Sequence, residues 1–577
     1  MSAAVKRWEA VCKKVRDERD SKEHFLVAEK KAGIANGRER EDETDAKVAS
    51  MSAGELQAAM RSGELTCEAV CRVFCSRSHN IGLRKLNCVT EEFYDEALEE
   101  ARRLDCSGEL RRAEDPTRPL LGLPISIKDS ITQGGARTTC GMASLQRYHA
   151  VDQEDGLLVS LIRAAGGIPF VRTNTPQCLM MSESQNAIYG RSDNPWDEAR
   201  TVGGSSGGEA GLIAARCSPL GLGSDIGGSI RIPAHFCGIS ALKPTPERIT
   251  RLGLAALRAT SQGGIKVRES VVAGPMANSV GDLDLMMRAL LAPMARECDP
   301  YVPPGTWDVL RAADGPGRKL RIGVFHTDRW FEPCTACKRA VHETAAALEA
   351  AGHYTEPFEL PADGWEVARL YYGQMAAEGN MHGFVAALEG EPLLPVYSSL
   401  KFIADLPNFV RPAVAAALGL RGEKRRASMF RVTRDGGISA REYWGLTTAQ
   451  MHMCRAFAAA LATQKLDVLL FPAVALPAWQ HGGSTELTPS LTYTFLANLL
   501  HWPAGVVPVT RVRADEQEYP LEALPGDQRD GVAGKAALAM AGSAGMPVGV
   551  QLMAPPFEDE LVVYAMRQVR LRQRWRD

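Results

Sequence analysis

The densest chemistry in the chain lies at residues 202–233, VGGSSGGEAGLIAARCSPLGLGSDIGGSIRIP, where nine glycines and five serines fall between Gly203 and Ser229. Arg216 and Arg231 are its only basic residues and it has no histidine, so a serine acting here needs a base from elsewhere. A flexible spacer would lack the apolar clusters AGLIAA and PLGLG that interrupt the glycines. A phosphate cradle would need G-x-x-x-x-G-K-[ST] or G-x-G-x-x-G, and the glycines of GLGSDIGG are spaced for neither. Gly204 to Gly208 formally match the nucleophile elbow G-x-S-x-G around Ser206, but that reading leaves the second serine cluster unexplained.

A reading that uses both clusters starts from SDIGGSIR. Glycine permits unusual backbone angles and close approach to a ligand. Gly227 and Gly228 therefore let several backbone amides converge near the Ser229 hydroxyl, as an oxyanion hole requires. GGSSGG supplies a second hydroxyl with room to reach inward. For the base, LLGLPISIKDSIT reads as a strand ending in Lys128. A lysine closing an apolar strand is partly desolvated, which lowers its pKa and lets it act as a neutral amine. A lone lysine there also fits a solvated strand end, and pattern alone leaves both readings open.

The elements that must position these groups are legible as periodicity. Helical patterns (SAGELQAAMR, EEFYDEALEEARRL, CKRAVHETAAALEAAG, DELVVYAMRQVRL) alternate with short apolar runs (LGLPISI, GIPFVR, KLRIGVF, LDVLLF, AGVVPV, MPVGVQL). Such alternation argues an α/β fold, helices covering a largely buried sheet, in one large domain over residues 51–577. Residues 1–50 read as a charged helical extension. Trp8, Val11, Cys12 and Val15 form one apolar stripe on it, suited to docking on its own domain or on a second subunit. ANGRERED after it reads as an exposed linker.

Composition narrows the function classes. The chain has 577 residues, 45% hydrophobic and 24% charged, with a formal net charge of -2. That near-neutral balance gives no reason to expect a nucleic-acid partner. Fourteen irregularly spaced cysteines behind a charged N-terminus, with no secretory signal, suggest reduced thiols in a cytoplasmic compartment. Cys334 and Cys337 make a lone C-x-x-C, and without a second pair they read as two thiols at a helix start rather than a metal site. SLTYTFLANLLHWPAGVVPVT (490–510) is uncharged but carries Asn498, His501, Pro503 and Gly505, so strand and loop inside a core explain it better than a bilayer span.

LPISIKDS, GGSSGGEAGLIA and LGLGSDIGGSIRIPAHFCGISALKPT together resemble the amidase signature family, whose hydrolases use a Ser–cis-Ser–Lys triad. Further blocks (RSGELTCEAV, GPMANSVGDLDLMMRALL, WPAGVVPVT, GMPVGVQLMAPPFEDELV) extend the likeness over roughly residues 51–575. The resemblance implies a mixed, mostly buried sheet, Ser229 as nucleophile, Ser205 after a cis peptide as proton relay, and Lys128 as base and acid. It implies an oxyanion hole from the amides of Ile226, Gly227, Gly228 and Ser229, with Ser206 supporting the triad. Asp225 and Arg231, flanking the nucleophile, read as a structural ion pair. Glu209 suits a helix dipole with no catalytic role, and His235 reads as packing or local hydrogen bonding. No metal or organic cofactor is implied.

Within the family the likeness is strongest to the branch that hydrolyses fatty acid amides. Vertebrate members of that branch carry an N-terminal transmembrane helix. This chain has a charged segment there, so a constitutive anchor is not expected. Residues 394–430 stand where that branch has a membrane-binding cap. Phe402, Ile403, Leu406, Phe409, Val410, Val414 and Leu418 are read as a mostly apolar surface, followed by Arg421, Lys424, Arg425 and Arg426. An ordinary buried helix pair with a solvated basic turn fits the same residues. The partners expected are a lipid amide, a membrane surface and, as a homodimer, a second copy of the chain. Rival readings are a short-chain amidase, the glutaminase subunit of an amidotransferase, or a scaffold that kept the fold without activity.

Overall fold

The fold was described from a computed structural model covering residues 3–21, 43–112, 115–144, 151–255, 271–379 and 381–570. The ANGRERED segment lies outside the described residues.

All six apolar runs singled out in the sequence become strands of one eleven-stranded sheet. In chain order its strands are β1 (Val89–Glu92), β2 (Pro124–Lys128), β3 (Ile168–Thr173), β4 (Leu220–Asp225), β5 (Ser240–Lys243) and β6 (Val272–Ala277). The rest are β7 (Arg321–Val324), β8 (Tyr354–Pro357), β9 (Val468–Pro472), β10 (Ala504–Arg511) and β11 (Pro547–Met553). Their spatial order is β1-β3-β2-β4-β6-β5-β10-β11-β9-β7-β8. β3, β2 and β4 run parallel on one flank and β9, β7 and β8 on the other, with antiparallel pairs between them. The sheet is mixed, as expected, and helices cover it.

Burial on both faces explains why these strands read as continuous apolar runs rather than alternating ones. β2, β3, β4, β6, β9 and β11 are buried at every residue. Three of the four helical patterns fall on helices: Ala53–Ser62 behind a Ser52–Glu55 capping box, Thr335–Ala350, and Asp559–Arg570. The fourth is split. Glu91 and Glu92 belong to β1, and the helix starts at Tyr94. The 490–510 segment also differs from the strand-and-loop expectation. Its first half is a helix, Thr492–Leu499, buried at all eight residues, before β10 begins at Ala504. An apolar run with no polar face carries no period by which helix and strand can be told apart.

The N-terminal stripe docks on its own chain. Trp8 and Cys12 are buried against Ala143, Ile188 and Tyr189, with Val11 and Val15 packed alongside. Arg16 pins the helix by donating to the Ala187 and Ile188 carbonyls at 2.8 and 2.9 Å. A short helix, Glu43–Ser50, follows and contributes Val48 and Ala49 to the main core. All fourteen cysteines are free thiols, and Cys334 caps the helix that carries Cys337. Among the described residues no helix is long and apolar enough to cross a membrane, and no His/Cys/Asp/Glu group is arranged to hold a metal.

Residues 394–430 form helices Ser398–Asp405, Arg411–Leu420 and the start of Lys424–Val432. Their apolar residues divide in two. Ile403, Leu406, Val414 and Leu418 pack against a local core of Ala415, Ala427 and Phe430. Phe402, Phe409 and Leu420 face outward at 64%, 85% and 91% exposure. The basic run divides likewise, a correction to the reading of four outward charges. Arg425 is buried in an ion pair with Asp530, and Arg426 pairs with Glu423 and Glu486. Only Arg421 and Lys424 of the four are exposed.

Candidate active site

Lys128 closes β2, where both neighbouring strands are parallel and no water reaches the stem. Burial pushes its amine down to about 7, although Asp225, Cys140, Glu209 and Asp129 each favour the charged form. Its Nζ donates to Ser205 Oγ at 2.8 Å and to Ser224 Oγ at 2.9 Å, with the Ser224 carbonyl at 3.4 Å. A neutral amine held this way is a base aimed at a hydroxyl.

The two serine clusters meet at this point. The Gly204–Ser205 peptide is cis. Ser206 donates its amide to the Ser229 carbonyl at 3.0 Å and its hydroxyl to the Ser224 carbonyl at 3.2 Å, while the Ser224 amide donates back at 3.3 Å. Ser206 therefore joins the GGSSGG loop to the end of β4 and to the Ser229 turn. Its hydroxyl is taken up by backbone, which does not suit the nucleophile of an elbow. Ser205 is buried whereas Ser229 is half-buried, so of the two hydroxyl residues Ser229 is the one open to a substrate.

Asp225 and Arg231 shape the turn between them. Arg231 reaches the Asp225 carboxylate through both Nε and Nη2 at 3.1 Å. Asp225 also accepts from the amides of Gly228 at 2.8 Å and Ile230 at 3.1 Å. Burial alone would raise this carboxyl, but Arg231 and Asn498 outweigh it and hold it well below the usual range. Arg231 ties the turn to distant chain through the Thr494 carbonyl, Gln551 and Asn498. The Gly228 amide is thus committed to Asp225. That removes one of the four amides expected to face an oxyanion.

The glycines here are set by close approach. A Cβ at Gly227 would lie 2.1 Å from the Tyr371 hydroxyl, and one at Gly228 would lie 2.3 Å from Thr494 Oγ1. Gly228 also has φ +114, which side chains rarely adopt. Gly228→Ala is expected to lower kcat by roughly 100-fold, because the clash with Thr494 shifts the turn and with it the neighbouring Gly227 and Ser229 amides, while circular dichroism keeps the native signature. Tyr371 stacks on Phe495 with ring centroids 4.1 Å apart, and the pair walls the turn with aromatic surface.

His235 is no base for Ser229. Its Nδ1 accepts from the Gly549 amide at 3.0 Å, so Nε2 carries the proton towards the Leu476 carbonyl at 3.1 Å. Burial lowers it to about 4, which keeps it neutral in the core. Glu209 lies in the first turn of its helix as expected, but its carboxyl turns into the sheet. Its carboxyl is fully buried and accepts from Ser126 and from Thr173 Oγ1 at 2.7 Å. Sequence reasoning missed Ser224, Tyr371, Thr494, Asn498 and Gln551. Only Ser224 carried a signal, lying directly before Asp225. The other four arrive from helices and strands 140 or more residues away.

Residues 69–563 match the family model described as Amidase. The chain is 36% identical to "Fatty-acid amide hydrolase 1" of Sus scrofa, over 89% of this chain and 84% of that protein. It is 32% identical to "Fatty acid amide hydrolase 1" of Caenorhabditis elegans, over 91% of this chain and 88% of that one. It is also 31% identical to "Acetamidase" of Emericella nidulans, over 83% and 80%. Among solved structures, "Fatty acid amide hydrolase" superposes with a TM-score of 0.75 at 23% identity, covering 98% of this chain and 94% of that one. At that identity the superposition speaks to the fold.

Proposed function

The chain belongs to the amidase family and is an amide hydrolase, and from that premise we propose that it cleaves long-chain fatty acid amides through an acyl-enzyme on Ser229. The observation that carries the mechanism is the 2.8 Å bond from a buried Lys128 amine to Ser205, whose loop is joined to the Ser229 turn. Neutral Lys128 takes the Ser205 proton as Ser205 takes that of Ser229. The freed Oγ then attacks the amide carbonyl. The amides of Ile226, Gly227 and Ser229 receive the oxyanion. Collapse returns the proton from the Lys128 ammonium through Ser205 to the departing nitrogen, without which an amine leaves poorly. Water then hydrolyses the ester by the same relay.

The acyl-chain length rests on two supports. One is the aromatic wall of Tyr371 and Phe495 beside Gly227, where each buried methylene gains about 0.8 kcal/mol. The other is the outward face of residues 394–430. Phe402, Phe409 and Leu420 are placed to enter one leaflet, and Arg421 and Lys424 each add about 1 kcal/mol at an anionic surface. The acetamidase relative favours the competing reading, a small-amide hydrolase. A series of primary amides from two to sixteen carbons separates the two. The proposal expects kcat/KM to rise at least about 100-fold along it. Phe402→Ser with Phe409→Ser should weaken liposome binding. A flat series leaves a general amidase, and efficient turnover of free glutamine would point to a glutaminase.

A further inference from the structure

Glu209 lies outside the relay, yet the fold is built around it. It sits in the first turn of the helix Gly207–Ala214, and its carboxyl reaches back into the sheet. Both hydroxyls that grip it flank the lysine. Ser126 stands two residues before Lys128 on the same face of β2, and Thr173 is the residue paired with Lys128 across β3. Any Cβ at Gly221 would lie 1.7 Å from Glu209 Oε1, so β4 leaves a notch for this oxygen. The helix end that carries Ser205 and Ser206 is therefore anchored beneath the Lys128 stem.

We propose that Glu209 is a positioning residue that sets the protonation of Lys128, its carboxylate lying beneath the amine on the same sheet face. It exchanges no proton with substrate. As an anion it stabilises the ammonium formed when Lys128 takes the Ser205 proton, and it raises the pH at which the resting amine becomes neutral. Burial pushes the Glu209 carboxyl up, while Lys128 favours its ionised form and Glu209 in turn favours the Lys128 ammonium.

The other charges around the Glu209 helix are taken up by partners of their own. On the elements packed around the Glu209 helix, Arg172 of β3 is bound to Asp129 and the Ile131 carbonyl, and Arg231 to Asp225. His79 is paired with Glu92, and His235 is held by Gly549 and Leu476. Lys128 supplies the charge that acts on Glu209. The Lys128 ammonium is favoured first by Asp225, then by Cys140, Glu209 and Asp129, and of these Glu209 alone sits on the helix that follows the Ser205–Ser206 loop.

The inference rests on Lys128 as the base, and its test keeps the two apart. The pH dependence of kcat/KM is measured for the parent enzyme, Glu209→Gln and Lys128→Ala. Glutamine keeps the volume and can still bond both hydroxyls, so the notch stays filled. Without the anion the amine loses its proton more readily, and the acid limb of Glu209→Gln is expected to move down by roughly one pH unit. Thr173→Val, which removes one bond favouring the ionised carboxyl, is expected to move it the same way by less, and it serves should Glu209→Gln fold poorly. A limb that stays in place, or moves up, in a folded Glu209→Gln overturns the inference while Lys128→Ala remains inactive. Full activity in Lys128→Ala sinks the relay itself.

Discussion

Ser229→Ala is expected to abolish amide turnover, by roughly 10⁵-fold or more, together with labelling by a fluorophosphonate probe. The magnitude follows from covalent catalysis, because without the Ser229 oxygen there is no acyl-enzyme and the remaining groups act only on bound substrate. Stability is expected to hold. The residue is half-buried, its carbonyl keeps the bond from the Ser206 amide, and alanine fits the same backbone. Ser206→Ala makes the informative comparison. It removes the hydroxyl that bridges to the Ser224 backbone and leaves the proposed nucleophile in place. A probe-labelled peptide carrying the adduct on Ser206, with Ser229→Ala still labelled, would restore the elbow reading.

Lys128→Ala is the second large effect, and its signature is selectivity. Loss of the amine removes the base in acylation and the acid that protonates the leaving nitrogen. Amide turnover is expected to fall roughly 10³- to 10⁴-fold. An ester of the same acyl chain expels an alkoxide with less need of a proton, and its loss is expected to be about tenfold smaller. The pH dependence has a fixed sign. Burial lowers Lys128 to about 7, so the amine is charged and useless as a base below that pH and neutral above it. Parent activity is therefore expected to climb through pH 7 and level off above it. A profile that keeps this limb after Lys128→Ala removes the lysine from the mechanism.

The constellation itself was written locally. Lys128 at the end of an apolar strand and two glycine-framed serine clusters behind it were visible locally, while the lysine's role, open on pattern alone, came from the resemblance to the amidase signature family. Strands β2, β3, β7, β9, β10 and β11 were legible for the same reason, since a run of apolar residues bounded by turns carries its own signature, whereas β1, β4, β5, β6 and β8 were not read. The His235 reading also followed from sequence, because a lysine-based set left that imidazole nothing to do.

What sequence could not decide is where side chains end once strands far apart in the chain lie side by side. Glu209 looked like a helix-dipole partner because its first-turn position is visible, whereas the Ser126 and Thr173 hydroxyls that receive its carboxyl come from two other strands. The Gly228 amide was counted towards an oxyanion hole, but the buried Asp225–Arg231 pair takes it. Arg425 read as a surface charge and instead lies buried against Asp530, more than a hundred residues on. In each case the deciding quantity is burial beside a partner remote in sequence. Backbone preference and hydrophobic period are properties of neighbours along the chain. The solvation of a charge and the direction of a hydrogen bond belong to neighbours in space, and the order of strands in the sheet chooses those.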